Sequence, residues 1–234
     1  MSDEQNDLSQ PVGAPVLGWV ERPRPPQTAI EGRYCRIERL DPERHAADLY
    51  AANLADTTGR HWTYLPYGPF SDFTAYRAWI AMNCLGDDPL FHAIVDLPRG
   101  RAVGVASYLR ISPRDGVIEV GHIHYSPALQ RTWAATEAMY LMMRRVFEEL
   151  GYRRYEWKCN ALNAPSCRAA ERLGFTFEGV FRQATISKGR NRDTAWYSVI
   201  DEEWPALKAA FERWLSPANC DAVGCQRESL RARR

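Results

Sequence analysis

Residues 117–175, VIEVGHIHYSPALQRTWAATEAMYLMMRRVFEELGYRRYEWKCNALNAPSCRAAERLGF, set strand, tight loop, helix, strand and capped helix in immediate succession. That order constrains everything around it. Residues 117–126 are rich in β-branched and aromatic side chains, and Pro127 stops the strand. From Ala135 the apolar Ala138, Met139, Met142, Met143, Val146 and Leu150 recur at helical spacing, and Gly151 supplies a left-handed stop. Residues 155–159 return as a strand. A crossover of this length joins parallel strands with a right-handed connection, so the loop at 128–133 lies at the strands' carboxyl ends. There the unpaired N–H groups of a first helical turn offer a site for a phosphate.

Two motifs in this run carry a family likeness. Gln130-Arg131-Thr132-Trp133-Ala134-Ala135, continued by Thr136-Glu137-Ala138, resembles the Q/R-x-x-G-x-G/A pyrophosphate loop of the GNAT superfamily of acetyl-CoA-dependent N-acetyltransferases. Asn163-Ala164-Pro165-Ser166, followed by Glu171-Arg172-Leu173-Gly174-Phe175, is similar to that family's second signature. The resemblance implies an α/β (α+β) fold with one mixed, largely antiparallel sheet holding one splayed parallel pair. It implies acetyl-CoA as acyl donor without a metal, and transfer to an amine with no covalent enzyme intermediate. It assigns Ile123, Tyr125, Gln130, Arg131, Thr132, Trp133, Ala134, Ala135, Asn163 and Ser166 to the cofactor, the main-chain N–H groups of residues 130–135 taking the pyrophosphate and Arg131 adding charge. Asn163 also reads as a plain helix N-cap before Pro165.

The chain departs from the pattern at two positions. Trp133 stands where the loop has its first glycine, which reads either as an indole packed away from the cofactor or as altered acyl-CoA binding. Ala170 stands where many members carry a tyrosine acid, a substitution that points to the RimJ/RimL-like branch (ribosomal-protein-alanine acetyltransferase-like).

With 234 residues, 45% of them hydrophobic, the chain has enough material for one core and extensions. The expected division is a proline-rich arm at 1–31, a domain at 32–216 and a tail at 217–234. A net charge of +1 gives no footprint for nucleic acid or an anionic membrane. The polar, acidic start and the lack of a run of about 20 apolar residues suggest a cytoplasmic protein. Six cysteines without C-x-x-C spacing fit a reducing compartment and no structural zinc. A homodimer is a family-level expectation.

In chain order, the arm's Leu17-Gly18-Trp19-Val20 either docks or stays disordered. Residues 32–40 alternate as a strand, and Asp41-Pro42 starts a helix to about Asn53. The aromatic segment 56–70 is either a pocket wall or a cover over the core. Ser71-Asp72 cap a second helix ending near Gly86, and strands at 90–96 and 102–111 turn across Pro98-Arg99-Gly100. Beyond Phe175, strands at 176–183 and 194–200 flank a charged tip at 187–193, read first as a solvated turn and second as a place where Lys188, Arg190 and Arg192 meet an acidic substrate or the cofactor phosphates, and a helix at 202–215 closes the fold.

The proton-handling candidates are Glu119, His122 and His124. In a regular strand His122, His124 and Ser126 share one face, and Glu119, Gly121, Ile123 and Tyr125 the other. A β-bulge near Gly121, common in the resembled family, would bring Glu119 to the histidines' face. The leading function is N-acetyl transfer to a protein or peptide N-terminus or a small amine. The alternatives are transfer of another acyl group and a non-catalytic acyl-CoA-binding regulatory module.

Overall fold

The computed structural model describes residues 4–221 and 226–230. Its frame is an eight-stranded sheet in the order β1-β2-β3-β4-β5-β6-β8-β7. The strands are β1 (Ile30–Glu31), β2 (Cys35–Arg39), β3 (Leu90–Asp96), β4 (Arg101–Ser112), β5 (Val117–Tyr125), β6 (Arg154–Asn160), β7 (Thr176–Ser187) and β8 (Arg190–Ile200). All neighbours pair antiparallel except β5 and β6, which are parallel. The crossover helix α3 (Trp133–Arg144) forces that exception, because a strand leaving a helix at the far end can only re-enter alongside its predecessor in the same direction.

Each face of the sheet has its own apolar cluster. On one, Ile118 and Val120 of β5 pack with Ala138, Met139, Met142 and Met143 of α3 and with Leu207, Phe211 and Trp214 of α5 (Trp204–Leu215). On the other, Leu49 of α1 (Pro42–Asn53) and Tyr76 and Ile80 of α2 (Phe73–Asn83) pack with Trp62 and Phe91. Alternation along β3 serves the two cores, Leu90 and Ile94 joining the first and Phe91, Ala93 and Val95 the second, and α4 (Ala164–Arg172) follows β6 at the edge of the first. Asp41, Asp72 and Asn163 cap α1, α2 and α4 with their side-chain oxygens, as the sequence signals require.

Glu137 ties α3 to the sheet. Its buried carboxylate accepts the N–H groups of Arg33, Tyr34 and Cys35 at 2.8, 2.7 and 2.8 Å. The approach is so close that a Cβ on Gly32 would lie 2.5 Å from Oε2, which explains the glycine.

Three local expectations need correction. The helix from Ala135 does not run on unbroken: after Arg144 the chain makes a π turn (Arg145–Glu149), and the buried Arg145 guanidinium donates to the carbonyls of Thr28 and Ala29. The arm ends inside the sheet, since Ile30 and Glu31 pair with β2. It is also docked: Trp19 Nε1 donates to the Arg114 carbonyl at 2.7 Å, and its ring covers Gly116, which has φ +63° and no room for a Cβ. The expected tail is anchored where it is described, with Leu230 in the first core and Glu228 N donating to Asn219 Oδ1 at 2.8 Å. The charged tip is an exposed turn, as expected, tightened to Lys188-Gly189 between strands longer than expected. Lys188 Nζ donates to the carbonyls of Trp62 and Gly68, both at 2.8 Å.

Candidate active site

Two bulges shape β4 and β5. At the first, Arg110 is held at φ +48° while the Asp88 carboxylate accepts its N–H and that of Ile111 at 2.8 and 3.0 Å. At the second, His122 sits at φ +49° and the register slips between Val105 and Ser107. A non-glycine residue in this region costs about 1–3 kcal/mol and persists only where its surroundings demand it. The second bulge reverses the parity of β5: Ile123 and Tyr125 now join Ile118 and Val120 against the first core, leaving Glu119 and Gly121 on the same side as His122 and His124.

Glu119 is only 3% exposed. Arg110 Nη1 donates to both carboxylate oxygens at 2.8 and 2.7 Å, and Lys158 Nζ lies 3.0 Å from Oε2. Lys158 also pairs with Glu156 at 2.7 Å and stands 3.8 Å above the Trp196 ring. Burial pushes the Glu119 carboxyl above its ordinary value, with Lys158 and Arg110 pulling the other way. His122 lies against Phe91 and Tyr67; burial, reinforced by Arg110 and Arg192, pushes its imidazole down to about 4. It is therefore neutral at physiological pH.

His124 has a different place. Its ring stacks on Trp62 at 3.8 Å, it is 6% exposed, and it lies outside the cavity lining. Burial and then His61 push its pKa to about 4. The grouping of His124 with Glu119 and His122 as catalytic candidates is corrected on this ground: the bulge gives them a common side, but Trp62 covers the His124 ring.

Pairing between β5 and β6 ends at Val120 and Trp157, whereas β5 continues against β4 to Tyr125 and β6 against β8 to Asn160. The two strands therefore splay apart. The gap opens into a cavity of about 610 Å³ lined by Glu119, Gly121, His122 and Ile123 from β5, Lys158 and Cys159 from β6, Asn163, and the β7–β8 hairpin. Its roof is the aromatic segment, for which both readings hold: His61, Tyr64 and Pro66 line the cavity while Trp62, Tyr67 and Phe70 cover the second core, with Tyr64 OH donating to the Leu162 carbonyl at 3.0 Å and Lys188 holding Trp62 and Gly68. His61 on this roof has Nε2 3.1 Å from Gln130 Nε2, and Nδ1 3.2 Å from an Asp56 oxygen without hydrogen-bond alignment.

The cofactor-loop residues divide. Thr132 caps α3, its Oγ1 accepting the Ala135 N–H at 3.1 Å. Gln130 N and Thr132 N donate to the carbonyls of Ser126 and Leu129. The claim that all N–H groups from 130 to 135 serve a phosphate is therefore too broad, because three are spent inside the loop. Those of Arg131, Trp133 and Ala134 have no partner among the described residues. Arg131, at φ +61°, also has no ion pair among them. Trp133 packs its indole between Tyr34 and Trp214, with ring centroids at 5.4 and 4.8 Å, which is the packing reading of that substitution.

Of the remaining candidates, Tyr125 OH is engaged by the Ala135 carbonyl at 3.2 Å, while Ile123 faces the cavity. Asn163 lines the cavity and caps α4, so both of its readings hold. Ser166 lies outside the lining; its Oγ accepts from Trp157 Nε1 at 3.0 Å and so holds the splayed strand in place. Ala170 is fully buried in the first core, where a tyrosine would not fit unshifted.

Residues 36–176 match the family described as acetyltransferase (GNAT) domain, which is more than half of the chain. The chain belongs to the GNAT acetyltransferases. A crystal structure of a GCN5-related N-acetyltransferase from Brucella melitensis is 46% identical, covers 92% of this chain and 97% of its own, and superposes with a TM-score of 0.90. The uncharacterized N-acetyltransferase YnaD of Bacillus subtilis is 26% identical over 60% of this chain and 81% of that protein. A RimL ribosomal L7/L12 α-N-protein acetyltransferase in complex with coenzyme A, 20% identical over 74% of this chain and 99% of its own with a TM-score of 0.63, shares the fold.

This GNAT enzyme is an N-acetyltransferase whose acyl donor is acetyl-CoA. The residues present fit that donor. Unpaired strand edges at 121–125 and 158–160 suit an amide-bearing chain, and the free N–H groups at the start of α3 suit phosphate oxygens. Sequence reasoning missed Arg110 and Lys158, and reached His61 only as part of the aromatic segment and Arg192 only as part of the charged tip. Arg110 and Lys158 sit opposite a strand glutamate only once register is known, and His61 lies in an aperiodic loop.

Proposed function

We propose that this enzyme acetylates an α-amino group, that of a peptide or protein N-terminus or of a small amine, at the β5–β6 splay. The observation that carries it is Glu119: a buried carboxylate at the floor of the cavity, where the two strands part. The acceptor nitrogen must be neutral to attack. Reaching that state at pH 7 costs about 1.4 kcal/mol for an α-amine and about 4.6 kcal/mol for a lysine, so the α-amine asks less of the site.

In this reading Glu119 takes the proton, directly or through one water, and its raised pKa makes it a better base than an exposed carboxylate. His122, neutral and on the cavity wall, orients the amine or relays its proton. Acetyl-CoA supplies the activated acyl group and a thiolate leaving group. Arg131 and the free N–H groups of Trp133 and Ala134 hold its phosphates, and Asn163 and Ile123 border its arm. We assign the chain to the RimJ/RimL-like branch on the strength of Ala170 and the RimL fold likeness. We place it in the cytoplasm, where Cys35, Cys84, Cys159 and Cys167 would stay free thiols as they are here.

Thiol release from acetyl-CoA with a panel of amines tests the reading. Glu119→Gln that folds, binds acetyl-CoA and turns over ~100-fold more slowly supports it. Wild-type turnover in that variant and in His122→Asn across the pH range would remove proton transfer from β5. Faster release from a longer acyl-CoA would replace acetyl as the group moved, and binding without amine-dependent release would favour a regulatory module.

A further inference from the structure

The side of the cavity away from α3 holds polar groups that the transfer chemistry does not use. Arg192, Thr194 and Trp196 alternate along β8, so they share one face, with successive Cα atoms roughly 7 Å apart. All three line the cavity. Arg192 Nε, Thr194 Oγ1 and Trp196 Nε1 are each buried without a hydrogen-bond partner. Thr194 is only 6% exposed. Every one of these groups is a donor, and a buried donor left unpaired is costly enough that native structures rarely keep several together without a use.

The charges lining the cavity are also unbalanced. Arg110, Lys158 and Arg192 are cations, and Glu119 is the carboxylate among them. Both Glu119 oxygens are already taken by Arg110 and Lys158. Among the described residues no carboxylate pairs with Arg192, although its guanidinium lies close enough to act on His122 and Cys159. The cavity thus presents a guanidinium fork beside a hydroxyl, which suits a planar carboxylate in two-point contact.

We propose that the acceptor amine carries a carboxylate, and that Arg192 and Thr194 receive it while the amine lies toward Glu119. The proposal rests on the reading of this cavity as the acceptor site. Lys158 touches Glu119 on one side and the Trp196 ring on the other, and Thr194 and then Arg192 follow Trp196 along the same face of β8. Phe181, stacked on Trp196 at 4.4 Å, supplies an apolar wall on the side of β8 away from β6. Acceptors that bring an amine and a carboxylate together are a free amino acid and a peptide whose first residue is acidic. The shared chemistry is an amine with a nearby carboxylate.

The experiment measures equilibrium binding to the full-length protein saturated with CoA, alongside thiol release from acetyl-CoA. Three probes are compared: a free amino acid, its carboxamide, and a peptide amide beginning with aspartate. The expected result is that one carboxylated probe binds roughly 30-fold tighter than the carboxamide, the size of a charge-assisted contact. Arg192→Gln should cut that preference below roughly 3-fold, and Thr194→Val should lower it part-way. Arg190→Gln, an exposed neighbour on the same strand, should retain it. Which carboxylated probe wins separates the two sources. Equal binding of acid and carboxamide to the wild type, or an undiminished preference in Arg192→Gln, overturns the proposal. Carboxylate preference with no thiol release from any amine would keep the site and overturn transfer at this cavity.

Discussion

Glu137 and Glu119 are buried to nearly the same degree, 5% and 3% exposed, yet they hold opposite kinds of region together. Around Glu137 the partners are three backbone N–H groups, whose positions are set by the β1–β2 turn and cannot be altered without moving the chain. Around Glu119 the partners are the side chains of Arg110 on β4 and Lys158 on β6, where β5 and β6 part, beside open space. A carboxylate satisfied by backbone is a fastener. One satisfied by flexible cations at a cavity can exchange a partner for a substrate proton, because neither cation's departure breaks the sheet. The comparison teaches that burial alone does not mark a working acid; the nature and mobility of its partners do.

Acid should separate the two regions most strongly. His122 and His124 have folded-state values near 4 against about 6.5 unfolded, so the unfolded chain binds more protons between those limits. Their contribution is intact above about pH 6.5 and is lost as pH falls toward 4, at up to ~1.4 kcal/mol per pH unit for each. The raised Glu119 carboxyl has the opposite sign and offsets part of the loss. Hydrogen exchange during an acid titration should open the bulged end of β5 before the Glu137 contacts; the reverse order would contradict the assignment.

Removing the fastener should come next in size. Glu137→Ala strands three N–H groups, that of Cys35 buried and those of Arg33 and Tyr34 part-buried, and should cost about 3 kcal/mol, read from the denaturant midpoint. A shift under about 1 kcal/mol would mean that water replaces the carboxylate there. Glu119→Gln should show the complementary profile: ~100-fold in turnover, worth about 2.7 kcal/mol of barrier, with a smaller change in stability. Should the two variants trade profiles, the contrast drawn between them is wrong.

Smaller effects test the flanks. Trp19→Ala should lower stability by about 1 kcal/mol, since it loses a half-buried ring and one hydrogen bond, and the protein should still fold. Complete unfolding would make the arm part of the core. Arg131→Glu should weaken CoA binding by less than 1 kcal/mol at moderate salt and more at low salt. Salt-independent affinity would take Arg131 away from the phosphates.

Much of this was legible in the sequence. The crossover at β5, α3 and β6, the caps at Asp41, Asp72 and Asn163, and the two family motifs follow from periodicity, side-chain chemistry and local order, all of which act over a few residues. Glu119 was legible as a candidate, and so was the aromatic segment as a wall. What failed did so for tertiary reasons. The helix from Ala135 reads as unbroken until Arg145 is seen reaching the carbonyls of Thr28 and Ala29, and the arm reads as separate until Ile30 and Glu31 are paired with β2.

The sequence by itself determined the order of the elements, their caps and the single parallel pair, because helix and strand periods, stop residues and crossover handedness are local properties of the chain. Only the tertiary structure decided which groups meet. Glu119 finds Arg110 from β4 and Lys158 from β6, Glu137 reaches back 104 residues to Arg33, and Arg192 is left without a partner. Register, bulges and splay set those meetings, and a one-residue slip in any of them sends a side chain to the opposite face of the sheet.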